Sequence, residues 1–559
     1  MLILYAILVS AFLLRLSALF FGLPYTDVFG DEIVHTVQAF KMMDARSLMI
    51  PFGDSFLPPL FSFMLMPVFG LIGILGKFFS VFSGLDDYKN FVLLYKELFL
   101  IPGRIISALF GTAAVYFSYL LAEKIFNRKI ALLSAFLLAI NFLHIHDSQI
   151  GHIWSPVVFF AIAGAYCLYS LYATGQRKWY FWSALAIGLG YAIGQIPVLL
   201  YLAFLPAHFL CVKKNGEKFW NKKFIEANLI ILSILLIFTV FNAYTVYKHT
   251  IEALGSLLKI FGVKFGAAYA VSEVVGKTSL VNNLRGAFQT LLFTDPLLLL
   301  FGVLGVPLLF KRNRGFIFIL LAGLPFLFVG TMILATNFTY RYVLPALPFL
   351  AILAAYFIFY LSEKISSIAG RKIFLVVSIV IVSAYPLITS LSYSFKITKP
   401  YTVSQGIEWF YVNVPSGAAV VSDIYLNPNK ESIKFLEKHN QFNWTDSRRK
   451  YLLNLNEEKY SQPNYFLIDT NLTDVISLPP EERKADYYFI SFYGEKEEKE
   501  KQKMLGAFAG EKEIVAKFYP KQEKENIKNI LNFVPQWAIK AVLEQKYIGP
   551  YVEIYKSVK

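Results

Sequence analysis

Charge is what this sequence has least of. Of its 559 residues only 16% are Asp, Glu, Lys or Arg, 56% are hydrophobic, and the mean hydropathy is +0.53. Soluble domains carry about 25% charged residues, so this chain has too little charge for a wholly water-facing surface. The shortage is confined to residues 1–393, and from Lys396 onward charge returns to soluble levels. Cysteine is almost missing. Cys167 and Cys211 both fall in apolar runs, which excludes a disulfide framework and a thiolate metal site. The hydrophilic end has no Gly-rich phosphate loop and no nucleophile motif. Internal repeats, the mark of a transporter, are not found.

What is there in quantity is apolar sequence. Runs near 2–21, 57–80, 101–122, 130–146, 154–173, 179–194, 197–212, 224–243, 290–310, 315–334, 343–361 and 372–393 approach or reach the length that crosses a ~30 Å hydrocarbon core. The run 2–21 has Arg15 near its middle, no basic start and no small-residue cleavage site, so it is expected to be a retained first span rather than a signal peptide. The net charge of +15 does not point to nucleic acid, because much of the excess sits in short loops between spans. The basic loops are 123–129, 176–178, 213–223, 311–314 and 363–372. All of them become cytoplasmic by the positive-inside rule only if the run 57–80 does not cross. That run opens Pro58-Pro59 and is followed by acid at 85–87, which suits an interfacial or re-entrant helix. The expectation is about eleven spans, with the hydrophilic end outside.

This topology places one group of polar residues on the outer face. The loop 22–56 contains "FGDEIVHTVQAF", with Asp31 and Glu32; the turn 144–152 reads "HIHDSQIGH", with Asp147; and the short loop 336–340 leads into Arg341. A carboxylate at the membrane boundary needs a cavity or a partner. Partial desolvation raises its pKa and makes it a better base. Were a lipid-linked phosphosugar the substrate, its anomeric carbon would lie at this depth. A base could then activate an acceptor hydroxyl while a cation such as Arg341 stabilised the leaving phosphate.

Plainer readings stand beside these. Asp31-Glu32 can cap an interfacial helix, and Arg341 can be a snorkelling residue. Arg15 is harder to explain so, because a mid-span Arg faces a cavity or a partner. His144, His146, Asp147 and His152, with His35 and Asp31, are candidate metal ligands, yet their spacing matches no closed zinc pattern. The 54 Phe and 34 Tyr read chiefly as lipid-facing and interfacial surface, and the charged run 495–503 as a solvated helix face. Three sequons, at Asn337, Asn443 and Asn471, fall on the expected outer side.

Several motifs, taken in order, carry a family resemblance. "GDEIVHTVQAF…FLPPLFSFML" resembles the first external loop of the dolichyl-phosphate-mannose protein mannosyltransferase and lipid A aminoarabinose transferase superfamily, the GT-C glycosyltransferases. "GRIISALFGTAAVYFSYLLAEKIF" (103–126) resembles the Arg-led second span, and "HIHDSQIGHIWSPVVFFAIAGAY" (144–166) the second external loop and the span after it. "YRYVLPALPFLAIL" (340–353) is similar to a late Arg-Tyr-x-Leu-Pro span. "SQGIEWFYVNVPSGAAVVSDIY" and "IGPYVEIYKS" resemble the external tail of many members. The stretch 213–330 carries no such motif.

The resemblance implies Asp31 as general base, with Glu32 positioning the acceptor or holding the loop. Asp147 and His146 would line the sugar or acceptor site, and Arg341, with Tyr340, would bind the lipid phosphate. His152 and Arg15 complete the substrate-binding candidates. Many members have a second Asp where this chain has Trp154, a departure that leaves Asp147 as the remaining acid of that loop.

The fold expected is a polytopic α-helical membrane protein of GT-C architecture (1–394) with an external soluble α/β domain (395–559). Strands are expected at 418–425, 464–470, 486–493 and 551–556, and helices at 402–412 and 430–438. The function expected is an inverting glycosyltransferase moving a sugar from a polyprenyl-phosphate carrier to a protein, glycan or lipid acceptor. No covalent nucleophile is apparent, no cofactor is fixed by the sequence and a divalent metal stays open, the lipid-linked sugar is the donor substrate, and nucleic acid is not a partner. The expected location is a plasma membrane or an endoplasmic reticulum membrane. The alternatives are a metal-dependent oligosaccharyltransferase-like enzyme, using a divalent metal, and a lipid or sugar transporter or flippase.

Overall fold

The structure, a computed structural model, describes residues 2–25, 28–29, 31–49, 59–194, 196–242, 280–309, 322–323, 339–423, 463–469, 484–521 and 537–558. The sequon asparagines, the run 315–334 apart from 322–323, and the expected helix 430–438 lie outside the described residues. Among the described residues, seven helices are long and apolar enough to cross a membrane, or up to nine if two bent pairs each count as one span. This polytopic helical bundle joins a C-terminal domain built on a five-stranded sheet.

The first elements are α1 (Leu2–Leu16), α2 (Glu32–Asp44), α3 (Leu60–Phe78) and α4 (Leu85–Leu94). They are followed by α5 (Leu100–Ile125), α6 (Arg128–Ala139), α7 (Phe142–Ser148) and α8 (Trp154–Thr174). The first run is shorter than its apolar sequence suggests. Its helix stops at Leu16, so Arg15 stands in the last turn rather than mid-span. α5 is the ruler of the bundle. About 20 residues separate Arg104 from Lys124, roughly 30 Å of helix. At the Lys124 end the basic loops gather: Lys124 donates to Ser170 Oγ at 2.6 Å and lies over the Trp179 ring, Lys223 donates to the Gly175 carbonyl, and Arg177 pairs with Glu226.

Two apolar runs read as unbroken spans are in fact broken. The run 130–146 divides into α6 and α7, bent by 62° at Ile140-Asn141. Asn141 starts α7 by accepting from the His144 backbone N–H. Arg15 supplies the other side of the break, donating to the carbonyls of Leu138 and Ala139 and to His144 Nδ1 at 2.6 Å. A cation at a helix C-terminus satisfies carbonyls that have lost their helical donors. The run 290–310 likewise bends by 117° at Asp295, where Pro296 opens a new helix, Pro296–Leu309. The residue before a proline is pushed out of the helical region. Asp295 caps the new helix through the Leu298 N–H and accepts from Asn141 Nδ2 at 3.0 Å, tying the two breaks together.

The C-terminal sheet comprises β1 (Ala419–Ser422), β2 (Phe466–Asp469), β3 (Tyr487–Phe492), β4 (Lys512–Phe518) and β5 (Tyr551–Ser557), in the order β2-β1-β3-β5-β4. β1 is parallel to β2 and β3, whereas β5 runs antiparallel to β3 and β4. The helix Thr402–Asn413 covers one face, with Phe410 against Phe489 and Tyr465. On the helix Glu495–Gly506, Lys501 reaches back to the buried Asp423 at 3.0 Å. The domain docks on the segment after α1: Ser404 donates to the Gly22 carbonyl at 2.6 Å, and Tyr401 packs on Phe21 and Tyr25.

Candidate active site

Asp31 and Glu32 are adjacent, yet they do different things. Glu32 is buried and receives two hydrogen bonds from Arg104, Nε to Oε1 at 2.8 Å and Nη2 to Oε2 at 2.7 Å. Its Oε1 also accepts from the Gly151 backbone N–H at 2.8 Å. Arg104 spends its remaining nitrogen on the carbonyls of Ala18, Leu19 and Phe21. One bidentate pair thus ties together α2, the start of α5, the segment after α1 and the turn at 151. Gly151 leaves room for this close approach. A Cβ there would lie 3.0 Å from Glu32 Oε1 and about as close to the backbone of Gly103 and Arg104.

Asp31 occupies the residue before α2, but its side chain makes no capping hydrogen bond. The capping alternative therefore fails. Its carboxylate is 57% exposed and accepts from Arg341 Nη1 at 2.8 Å. Arg341 Nε lies 3.5 Å from Asp147 Oδ1 and donates to Tyr340 Oη at 3.2 Å, so one guanidinium bridges two carboxylates and a phenol. Asp147 is buried on α7, and its Oδ2 has no hydrogen-bond partner among the described residues. His152 Nε2 lies 3.9 Å from Asp31 Oδ2. Asp31, Asp147, His152, Tyr340 and Arg341 therefore meet at one mouth, although more than 300 residues separate its ends in sequence.

His146 stands behind this group. Its Nδ1 lies 2.7 Å from the Tyr393 hydroxyl, and its ring packs edge-on against Phe29. Arg15 belongs to the helix break instead; none of its described contacts is with Asp31, Asp147 or Arg341. Trp154 opens α8 and packs against Tyr342, beside Arg341. Arg104 and Gly151 do structural work that their sequence motifs did not disclose. The available signal was an Arg at the head of an otherwise apolar run.

Burial sets the histidines. The His35 imidazole is pushed down to about 3 by burial, and His152 falls well below the usual histidine range through burial and the nearness of His35 and Arg341. Both are neutral at physiological pH. Among the described residues no three His, Cys, Asp or Glu side chains are grouped to hold a metal ion. The two aspartates that could serve as hard oxygen ligands share the Arg341 cation between them. The described residues of this mouth therefore offer no ready-made divalent-metal site.

Residues 94–244 match the family described as dolichyl-phosphate-mannose-protein mannosyltransferase. No curated protein matches the chain. Among solved structures, the apo oligosaccharyltransferase of Archaeoglobus fulgidus is 11% identical with a TM-score of 0.41, over 87% of this chain and 69% of that one. ArnT from Cupriavidus metallidurans, bound to undecaprenyl phosphate, is 10% identical with a TM-score of 0.42, over 92% of this chain and 96% of that one. The family match covers residues 94–244, and the motifs outside it, taken in order, resemble those of the GT-C glycosyltransferases.

Proposed function

We propose that the protein transfers a sugar from a polyprenyl-phosphate carrier to an acceptor hydroxyl or amide, with inversion, at the external membrane face. The observation that carries this is the Asp31–Arg341 pair: an exposed carboxylate held by a cation that also serves Asp147. A lipid phosphate entering the mouth competes for Arg341. Charge-assisted contacts to phosphate are strong, so the guanidinium turns to the phosphate and releases Asp31. The freed carboxylate takes the acceptor proton as the acceptor atom bonds to the anomeric carbon. The bond from that carbon to the phosphate oxygen breaks, and the phosphate leaves with the electron pair, neutralised by Arg341. One displacement inverts the anomeric centre.

Glu32 takes the loop-holding role in this reading, because Arg104 and Gly151 already occupy its carboxylate. His146 supports the wall of the site, and Tyr340 fixes the Arg341 side chain. The residues 1–394 form the catalytic membrane domain, with α3 lying along the surface, and 395–559 cover the mouth from outside. The separation of the basic loops from the site by the length of α5 supports that orientation.

The test is transfer by the purified protein from a panel of polyprenyl-phosphate sugars, with and without chelator. Transfer that survives the chelator is expected. Transfer from a lipid pyrophosphate that the chelator abolishes would favour the metal-dependent alternative.

A further inference from the structure

Beside Asp31 lies a second polar group that the transfer step does not use. His35 and Gln38 stand one turn apart on α2, Ser62 faces them from α3, and His152 closes the set from the turn after α7. All four are buried, with exposures between 0% and 3%. Ser62 Oγ donates to Gln38 Oε1 at 2.7 Å and lies 3.4 Å from His35 Nδ1. The rings of His35 and His152 meet edge-on at 5.0 Å. His35 Nε2, Gln38 Nε2 and both ring nitrogens of His152 make no hydrogen bond among the described residues. Buried polar atoms in native proteins are ordinarily satisfied. Here the unsatisfied ones belong to side chains in contact with one another, and the nearest of them, His152 Nε2, lies 3.9 Å from the candidate base.

The chemistry of the set narrows what fills it. A neutral imidazole offers one donor and one acceptor, and the Gln38 amide offers two donors. The group contains no carboxylate and no ammonium or guanidinium, so a charged sugar substituent would find no counterion within it. A hydroxyl both gives and receives a hydrogen bond. We propose that His35, Gln38, Ser62 and His152 form the specificity subsite for the transferred sugar, reading the hydroxyls of an uncharged hexose on the donor. This rests on the glycosyltransfer reading above and adds to it the class of sugar.

The test uses the full-length protein in detergent, with Gln38→Leu, His35→Phe and the smaller change Ser62→Ala. Binding is measured for sugar-free polyprenyl phosphate and for polyprenyl-phosphate hexoses and their monodeoxy analogues, without acceptor. Transfer is then measured with the same donors. The wild type is expected to prefer a full hexose over at least one deoxy analogue by about tenfold or more, because a missing hydroxyl leaves buried groups unpaired. At least one variant is expected to lose most of that preference in the acceptor-free binding assay while still binding the sugar-free phosphate, which reports an intact fold. An unchanged preference in every variant that still binds the sugar-free phosphate overturns the proposal, and is the result a merely water-filled cluster gives. A preference that changes only when acceptor is present also overturns it, assigning the group to the acceptor. A wild type that transfers from none of the donors speaks instead against the glycosyltransfer reading.

Discussion

Arg104 grips Glu32 through two hydrogen bonds of 2.8 and 2.7 Å in a buried setting, while the neighbouring Asp31 stands open and turns the other way, to Arg341. Successive residues entering a helix point about 100° apart, which lets one acidic pair serve two purposes. The buried acid fixes where α2 begins, and α2 fixes where the exposed acid sits. The division of labour makes the two acids separable by mutation.

Removing one partner of a buried pair leaves the other charge unpaired, at a cost of about 3–5 kcal/mol. Arg104→Met is therefore expected to lower thermal stability sharply, and a Glu32→Gln, Arg104→Met double variant to recover part of it. Tryptophan-monitored melting in detergent measures both. If Arg104→Met melts with the wild type, the pair does not hold the loop.

The histidines predict a pH dependence of stability. His35 has a folded pKa of about 3, below its unfolded value of about 6.5. The unfolded chain therefore binds the proton first as pH falls. Stability from this group is full above pH 6.5 and declines toward pH 3, by about 2 kcal/mol at pH 5. His152 shifts in the same direction. His35→Phe is expected to melt with a shallower pH dependence between 6.5 and 4 than the wild type. Parallel curves would contradict the neutral, buried state of His35.

Arg341 is expected to matter for the lipid phosphate more than for the fold, since it is part-exposed at the mouth. Hydrogen bonds to charged groups contribute about 1.5–3 kcal/mol. Arg341→Gln should thus weaken binding of sugar-free polyprenyl phosphate by about tenfold or more, with Arg341→Lys intermediate because it keeps charge without the fork. Equal binding in all three proteins would remove the phosphate from Arg341.

Much of this site was legible in the sequence, and the reasons for the rest are physical. Asp31, Asp147 and Arg341 were visible because ionisable residues beside apolar runs are few, and the structure brings all three together. Arg15 was misplaced because apolar sequence runs on past Leu16, where the helix ends, so a capping Arg resembled a mid-span one. The helix breaks were hidden for a similar reason. Asn141 and Asp295 interrupt hydrophobic runs too briefly to alter their average, although Asp295-Pro296 carries the mark of a helix start. In the C-terminal domain, three expected strands coincide with β1, β3 and β5, and the expected 464–470 with β2. β4 escaped notice because it is an edge strand, and its Lys512, Glu513 and Lys517 are the charges that keep such an edge from pairing further.

The central claim is that Asp31 is the base and competes with the donor phosphate for Arg341. The most direct test compares Asp31→Asn with wild type in two assays: binding of a polyprenyl-phosphate sugar and single-turnover transfer from it. Asn keeps the shape and removes the base. The account predicts donor binding as tight as wild type or tighter, with transfer slowed about a hundredfold or more. Transfer at the wild-type rate with donor bound would contradict it.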